Sequence, residues 1–369
     1  MRARPVILTT AVAAGFAAAA GTATAASPFI SPPGAVTTIA STVPANGDLN
    51  PYGVAVVSES SGRLHQGSVL VSNFNAKTNL QGTGTTIVQV DPSRKPASSL
   101  FARIDAQRLP GRCPGGVGLT TALSVLPGGW VVVGSLPTKD GTAATATSGC
   151  LLVLDSRGTV RETIAGHGIN GPWDMTAVAD TRHANLFVTN VLNGTVAAGG
   201  KTVPGGTVLR IGLNLHRDGP PTLNDVTTVG SGFGEHTDPS ALVVGPTGVA
   251  VGSHDTLYVA DSVGNRITAI PAADTRHGSG GTGRTVTGGG ALNTPLGLTV
   301  TPGGDLLSVN AGDGNLVETS ATGRQQTTVT LDTSGSPRGA GALFGLATVP
   351  RHNAVYFVDD ATNTLNLVH

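Results

Sequence analysis

Short apolar segments recur along the chain, and each is followed by a turn. In residues 245–270, the apolar segments 248–251 and 257–260 are separated by the turn sequence Ser253-His254-Asp255. Apolar segments of this length, bounded by turn residues, are typical of β-strands. Beyond the N-terminal stretch, no segment shows the 3.6-residue period of an amphipathic helix. The pattern therefore predicts an all-β protein.

The same arrangement of strands and turns is repeated six times, and such a repeat identifies the architecture. The copies lie at 50–75, 120–155, 171–213, 245–270, 294–320 and 342–368. Four copies begin with Pro, one residue and then Gly or Asp, at Pro51, Pro172, Pro246 and Pro295. Because Pro cannot donate to a strand ladder, it suits the start of an inner strand. Seven copies remain an alternative if residues 213–246 contain another unit, but that stretch has too few apolar alternations.

The two ends of the repeat region complement each other. The last copy has only three strands and ends at Val368, while an extra strand, 36–40, precedes the first copy. If this strand completes the last blade, the ring closes without an unpaired inner edge. We therefore predict a six-bladed β-propeller over residues 36–369, with four-stranded antiparallel blades closed by the N-terminal strand. Its outermost strands are expected at 99–104, 159–165, 225–229, 284–287 and 326–331.

Residues 258–267, YVADSVGNRI, resemble the NHL repeat. On this basis the chain is similar to the NHL-repeat six-bladed propellers of the exported bacterial type, most clearly in the fourth copy. The resemblance implies a fold used for protein or glycan binding, sugar-lactone hydrolysis and lyase chemistry, and the fold alone does not choose among them. Gluconolactonases of this type place metal ligands near the inner strands. In this chain, the positions before the inner-strand Gly are Tyr52, Thr247, Leu296 and Phe344.

The N-terminus has the pattern of an export signal. Arg2 and Arg4 precede an uncharged stretch, 5–21, and the small residues 23–25 follow it. The stretch is shorter than the ~20 apolar residues that a membrane span needs. We therefore predict a signal peptide at 1–25 and a short linker at 26–35. The mature chain is then secreted to the extracellular or cell-envelope space, without a membrane anchor after cleavage.

The charge balance limits the class of partner. Without Arg2 and Arg4, the 22 basic residues become 20 against 22 acidic ones, a net charge of about −2. No basic cluster accompanies this balance, which argues against nucleic acid or an anionic membrane surface. The expected partner is a protein, a glycan or a small molecule, and we expect a monomer.

The two cysteines, Cys113 and Cys150, are predicted to form a disulfide, as an even pair does in an exported protein. Both lie near long loops of the second blade, so the bond would join two insertions. A thiol nucleophile is the alternative, but neither Cys has a recognised sequence signature around it.

The predicted long loops fall on one side of the disc, called the elaborated face below. They are the segments 75–85, 107–118, 136–149, 191–205 and 231–245. The opposite side, the plain face, has mostly tight turns, with 272–283 as an exception. Long loops on a rigid scaffold are the usual place for binding or catalysis. The elaborated face is therefore the predicted ligand-binding face.

Three aromatic residues share one position of the repeat at the predicted mouth of the axis. They are Tyr52, Trp173 and Phe344. An aromatic ring at the mouth could stack on a sugar or hold an apolar ligand. The alternative is that these side chains pack between adjacent blades.

Polar side chains are expected near the same mouth. Those at the ends of the second strands are Asn73, Asn190, Asp261, Asn310 and Asp359, and those near the first strands are Asp174, His236 and Asp238. Their oxygens could hold Ca²⁺ or another divalent cation at the axis. The alternative is that they cap the turns that follow the strands.

Two functional hypotheses remain from the sequence. One is an exported module of unknown specificity that binds a ligand or a protein with the elaborated face. The other is a metal-dependent hydrolase, lactonase-like, or a lyase, with Asp174, His236 and Asp238 among the metal ligands at the axis. No catalytic motif identifies a nucleophile or a base. An open, carboxylate-lined axis would favour chemistry, whereas an axis filled by aromatic side chains would favour a binding scaffold.

Overall fold

A computed structural model describes residues 27–31 and 34–369. The predicted signal peptide, 1–25, lies outside the described residues. In chain order the strands are β1 (Val36–Ser41), β2 (Leu49–Val56), β3 (Val69–Asn75), β4 (Thr86–Val90), β5 (Ser98–Arg103), β6 (Leu119–Leu126), β7 (Trp130–Ser135), β8 (Cys150–Leu154), β9 (Val160–Ile164), β10 (Gly171–Ala179), β11 (His183–Val191), β12 (Val203–Asn214), β13 (Thr222–Asp238), β14 (Leu242–Val244), β15 (Pro246–Val251), β16 (Leu257–Asp261), β17 (Arg266–Ile270), β18 (Arg284–Gly288), β19 (Pro295–Val300), β20 (Leu306–Asn310), β21 (Asn315–Thr319), β22 (Gln325–Thr330), β23 (Leu343–Thr348), β24 (Val355–Asp359) and β25 (Thr364–Val368).

The strands form six antiparallel sheets, which confirms the predicted six-bladed propeller. Blades one to five begin at β2, β6, β10, β15 and β19, and the sixth has the order β1-β25-β24-β23. Its outer strand β1 pairs antiparallel with β25, so the N-terminal strand closes the ring as predicted. Within the described residues, the helical elements are the 3-10 turns Ala106–Arg108, Pro127–Gly129, Ala143–Thr145 and Ser253–Asp255. Over the same residues, no helix has the length and apolar character needed to cross a membrane.

Neighbouring inner strands come closest together at the glycine of the repeat. A Cβ atom on Gly297 would collide with the carbonyl oxygen of Phe344, and one on Gly345 would collide with that of Tyr52. At these two positions only a residue without a side chain allows the backbones to approach this far. The glycine of the repeat therefore marks a close approach between neighbouring inner strands.

The third blade differs from the predicted four strands because it contains a fifth. Its outer strand β13 runs to Asp238, well beyond the predicted 225–229, and then turns back to pair with β14. The hairpin formed by residues 235–244 is called the lid hairpin below. The apolar side chains of β14, Leu242 and Val243, are buried. Their burial against the aromatic mouth of the axis stabilises the longer strand.

Part of the predicted N-terminal linker packs against the fifth blade. Ile30 is fully buried, and the backbone N–H groups of Phe29 and Ile30 donate to the two carboxylate oxygens of Glu318 at 2.7 and 3.1 Å. Burial raises the pKa of Glu318, while these two N–H donors oppose the rise. Residues 27–31 are therefore packed on the propeller as part of the folded structure.

The predicted disulfide is confirmed. Cys113 and Cys150 are bonded, with their Cα atoms 5.4 Å apart. Cys113 lies in the segment that leads into the second blade, and Cys150 begins β8. The bond therefore fixes that segment to the blade it enters.

Replacing both cysteines by alanine is expected to lower the free energy of unfolding by about 2–4 kcal/mol, because the unfolded chain regains a loop of intermediate length. Urea denaturation of the double variant and of the oxidised protein measures this difference. The protein treated with a reductant is the matched control, and its midpoint should fall with that of the variant. Equal midpoints for oxidised and reduced protein would contradict the prediction.

Candidate functional site

Stacked aromatic rings fill the axis at the elaborated face. The ring centroid of Tyr52 lies 3.9 Å from that of Phe344 and 4.5 Å from that of Phe74, and the Trp173 ring is 6.2 Å from Tyr52 and 6.4 Å from Phe344. All four side chains are buried. Aromatic stacks of this kind add to the stabilisation that comes from apolar burial. Of the four, only Phe74 was not expected from the sequence.

The lid hairpin covers this aromatic plug. The indole Nε1–H of Trp173 donates to the carbonyl oxygen of Val243 at 3.0 Å. At the tip of the hairpin, the Asp238 carboxylate accepts from the N–H groups of Ser240 and Ala241 at 2.7 and 2.9 Å. From the first blade, Gln81 reaches the same tip. The axis is therefore closed at the elaborated face by two layers.

Two clefts remain on either side of the lid hairpin. The first has a volume of about 340 Å³, and its walls include Ser240 and Ala241 on the hairpin and Ser336 and Pro337 on the loop between blades five and six. The second has a volume of about 330 Å³. It is lined by Gly141, Thr142, Ala143, Thr237, Asp238 and Pro239. Asp238 borders both clefts, whereas the aromatic plug reaches only the first, through Phe344.

The asparagines at the ends of the second strands bond to the backbone that enters their own blades. The Oδ1 of Asn190 accepts from the N–H groups of Asn170 and Gly171 at 2.8 and 3.1 Å. The Nδ2 of Asn73 donates to the carbonyl of Thr42, and that of Asn310 to the carbonyl of Ala291. Buried amide groups with such partners hold the blade segments together. Each of these side chains is therefore bonded within its own blade.

The aspartates at the equivalent position bond to the following turn. The carboxylate of Asp261 accepts from the N–H of Gly264 at 3.0 Å and from the Nε of Arg266 at 2.8 Å. Asp359 accepts from the N–H of Thr362 at 3.1 Å. A carboxylate that accepts from the backbone two or three residues ahead is the usual partner of a tight turn. Each of these side chains is held within its own blade.

Asp174, His236 and Asp238 do not come together. Asp174 lies on the plain-face side of the aromatic plug, Asp238 is engaged at the tip of the lid hairpin, and the Nδ1 of His236 is buried without a partner. Across 27–31 and 34–369, no three His, Cys, Asp or Glu side chains are arranged to hold a metal ion. A Ca²⁺ ion requires six to eight oxygen ligands. The residues expected at the axis therefore do not fit a divalent cation.

Three carboxyl groups have strongly raised pKa values. Burial raises the pKa of Asp174 to about 7, and burial also raises that of Glu235 to about 7. The pKa of Asp360 rises to about 7 through burial and the nearby Asp359 carboxylate. Glu235 accepts from the N–H of Asn193 at 2.7 Å. Asp360 lies near Tyr52 of the aromatic plug, and Asp174 lines a cavity on the other side of the plug.

A blind channel runs from the plain face towards the plug. It has a volume of about 290 Å³ and is lined by the inner strands of all six blades, including Val56, Val125, Ala177 and Thr348 at the plain-face end. Asp174 lies near its closed end, where Oδ2 accepts from the N–H of Val249 at 3.1 Å. We call this cavity the Asp174 channel.

Asp174 occupies the position of the repeat glycine in the third blade. The equivalent residues of the other five blades are Gly53, Ala122, Gly248, Gly297 and Gly345. Aligning the six inner strands on the sequence shows one acidic residue where all others are Gly or Ala. This departure is the sequence signal that distinguishes Asp174 from the other candidate residues. The face from which Asp174 is reached does not follow from the alignment.

No protein-family model matches the chain, and no curated protein sequence matches it. Solved structures with a similar fold include a gluconolactonase from Xanthomonas campestris, with 14% identity over 91% of this chain and 89% of that one and a TM-score of 0.55. The calcium-binding protein regucalcin from Agrobacterium tumefaciens has a TM-score of 0.55, 11% identity and coverage of 90% and 93%. Virginiamycin B lyase from Staphylococcus aureus has a TM-score of 0.51, 14% identity and coverage of 91% and 99%. At these identities the likeness establishes the six-bladed propeller fold alone.

Proposed function

We propose that this chain is an exported binding protein, built from NHL-like repeats, that holds a small molecule or a protein segment in the clefts beside the lid hairpin. The observation that carries this proposal is the closed axis, where the stacked plug and the hairpin leave two clefts of ligand size at the elaborated face. Ligand sites are typically concave, with a few polar groups among apolar ones. The disulfide supports export, since such bonds persist in oxidising compartments.

The arrangement of the polar groups favours binding over catalysis in these clefts. Their shared carboxylate, Asp238, already accepts two backbone N–H bonds, and no His, Lys, Cys or second carboxylate lines either cleft to activate the hydroxyls there. A catalytic pair needs such groups within hydrogen-bond reach of one another. The lining instead offers hydroxyls, backbone groups and small apolar surfaces, which suit recognition.

Hydrolase or lyase chemistry at the axis is the alternative. It draws support from the fold that this chain shares with the gluconolactonase and the virginiamycin B lyase. Against it stands the aromatic plug, which fills the place where a substrate would reach the axis from the elaborated face. Binding by the clefts therefore remains the preferred proposal.

A fragment and short-peptide screen by ¹H–¹⁵N NMR tests the proposal. We expect bound fragments to shift the amide signals of the lid hairpin and of the loops that face it. Ser240→Trp should weaken fragments of the first cleft by about tenfold or more, because the indole occupies the space that they need. Thr322→Trp, on an exposed turn of the plain face, is the matched control and should bind them as the wild type does.

Two results would oppose the proposal. One is a complete screen in which no compound shifts the signals of either cleft. The other is a metal ion retained in one-to-one ratio after dialysis, together with a lactone-hydrolysing activity that a chelator removes. The second result would favour chemistry at the axis.

A further inference from the structure

We propose that the Asp174 channel is a second binding site, open to the plain face, for a small aliphatic primary amine whose ammonium group sits on the Asp174 carboxylate. This site is separate from the clefts of the lid hairpin, because the aromatic plug lies between them. The inference does not depend on the function proposed for the elaborated face.

Asp174 differs from the residues at the same position of the other blades. Five blades have Gly or Ala at the position of the repeat glycine, and only the third blade has a carboxylate there. A buried carboxylate is costly unless a cation or several donors compensate it. A residue that departs from the repeat and destabilises the fold is usually there for function.

Among the described residues, no side chain supplies a cation for this carboxylate. Within the described residues, Asp174 is in none of the salt bridges, and no Lys, Arg or His lines the channel. The carboxylate accepts from two backbone N–H groups, those of Val249, at 3.1 Å to Oδ2, and of Met175. The remaining acceptor capacity faces the cavity, since the side chain keeps partial contact with solvent there. A cationic ligand would complete the missing half of an ion pair.

The cavity has room for a ligand larger than an ammonium ion. From Asp174 to Ala177 the inner strand covers about 10 Å, at roughly 3.3 Å per residue. Ser124, Thr176 and Thr299 contribute hydroxyl groups, while Leu298 and Leu346 add apolar surface. The volume of about 290 Å³ admits a linear chain of several methylene groups. The exposed wall surface is more polar than apolar, so the ammonium group at the closed end accounts for the fit, and the space beside it admits a short alkyl chain.

Other cations fit the channel less well. Ca²⁺ needs six to eight oxygen ligands, and a single carboxylate cannot provide them. A guanidinium binds best when both carboxylate oxygens are free for a bidentate pair, but Oδ2 of Asp174 is already engaged with Val249. An ammonium group is a compact charge that needs only one oxygen and can satisfy its other protons with hydroxyls or water.

Isothermal titration of the full mature protein with hexylamine and with 1-hexanol at pH 8 tests the proposal. Hexylamine should bind saturably and hexanol should not, because only the amine carries the charge. Asp174→Asn should weaken hexylamine by about 10- to 100-fold, the loss of a charge-assisted hydrogen bond. Asp218→Asn removes an exposed carboxylate from a loop of the same blade on the same face, and it should change nothing.

A second variant tests the route into the cavity. Ala347→Leu narrows the channel without touching Asp174, so it should also weaken hexylamine if the ligand enters from the plain face. Circular dichroism confirms that each variant is folded. The proposal is overturned if the folded wild type shows no saturable binding of hexylamine, if hexanol binds equally well, or if Asp174→Asn binds hexylamine as tightly as the wild type. Compounds that bind in the lid-hairpin clefts neither support nor overturn this proposal.

Discussion

Replacing Trp173 by alanine is expected to lower the free energy of unfolding by about 3–5 kcal/mol, the usual cost of removing a buried large aromatic side chain. The indole lies at the centre of the ring, 6.2 Å from Tyr52 and 6.4 Å from Phe344, and its removal leaves a cavity where three blades meet. The variant also loses the hydrogen bond to Val243. We therefore expect two effects. The whole propeller should unfold more readily, and the lid hairpin should open more often.

Urea denaturation measures the global loss, and amide hydrogen exchange of residues 235–244 measures the local one. Trp173→Phe is the matched control, because it keeps a ring in the stack but removes the indole N–H. We expect that variant to lose about 1–3 kcal/mol, the cost of leaving the buried carbonyl of Val243 without a partner. Hairpin exchange that is equally slow in wild type and Trp173→Ala would show that the plug does not hold the lid.

Most of the fold could be predicted from the sequence because a propeller repeats one unit. Each blade buries its faces against its neighbours, so the apolar pattern recurs and aligns with itself. The outer strands have a weaker apolar pattern, yet their positions were also predicted well. The strand expected at 284–287, for example, is observed at Arg284–Gly288. The closure by β1 followed from counting strands. What could not be predicted was the extension of β13, because its pairing with β14 and its packing on Trp173 depend on contacts outside the repeat.

The candidate site was predictable only in part. Tyr52, Trp173 and Phe344 were expected at the mouth of the axis, but the sequence left open whether they face a ligand or one another. Periodicity places a side chain on a strand, and it does not say whether six such side chains close the axis between them. Phe74 comes from a second strand, so comparing inner strands alone could not include it.

Asp174 was expected near the mouth of the axis on the elaborated face, whereas in the structure it lines the channel that opens to the plain face. That side depends on the position of the plug along the axis, which is set by the volumes of Tyr52, Phe74, Trp173 and Phe344 together. These rings fill the elaborated-face end, so the remaining space opens to the plain face. A carboxylate that looks like a metal ligand in the sequence is therefore isolated from His236 and Asp238 in three dimensions.

This isolation has a cost that depends on pH. Asp174 has a pKa of about 7 in the folded protein, against 3.8 for an ordinary Asp in the unfolded chain. Below pH 3.8 the group is protonated in both states, and it adds no penalty. Between about pH 4 and 7 the unfolded state loses the proton first, so rising pH favours unfolding. Above pH 7 the penalty is constant at up to about 4 kcal/mol, at ~1.36 kcal/mol per pKa unit.

Asp174→Asn is therefore expected to be more stable than the wild type at pH 8, by up to about 4 kcal/mol, and equally stable near pH 4. The amide keeps an oxygen that can accept from Val249, and it cannot ionise. Urea midpoints at pH 4, 6 and 8 measure the difference, with Asp218→Asn as a control that should follow the wild type at every pH.

Because Glu235 and Asp360 have raised pKa values too, the stability of the Asp174→Asn variant should still fall with rising pH, but less than that of the wild type. A difference that does not grow with pH would show that Asp174 is not buried as a charge. If the difference grows with pH, the ionised Asp174 carboxylate destabilises the folded propeller. Such a cost is expected where a residue serves binding and not stability.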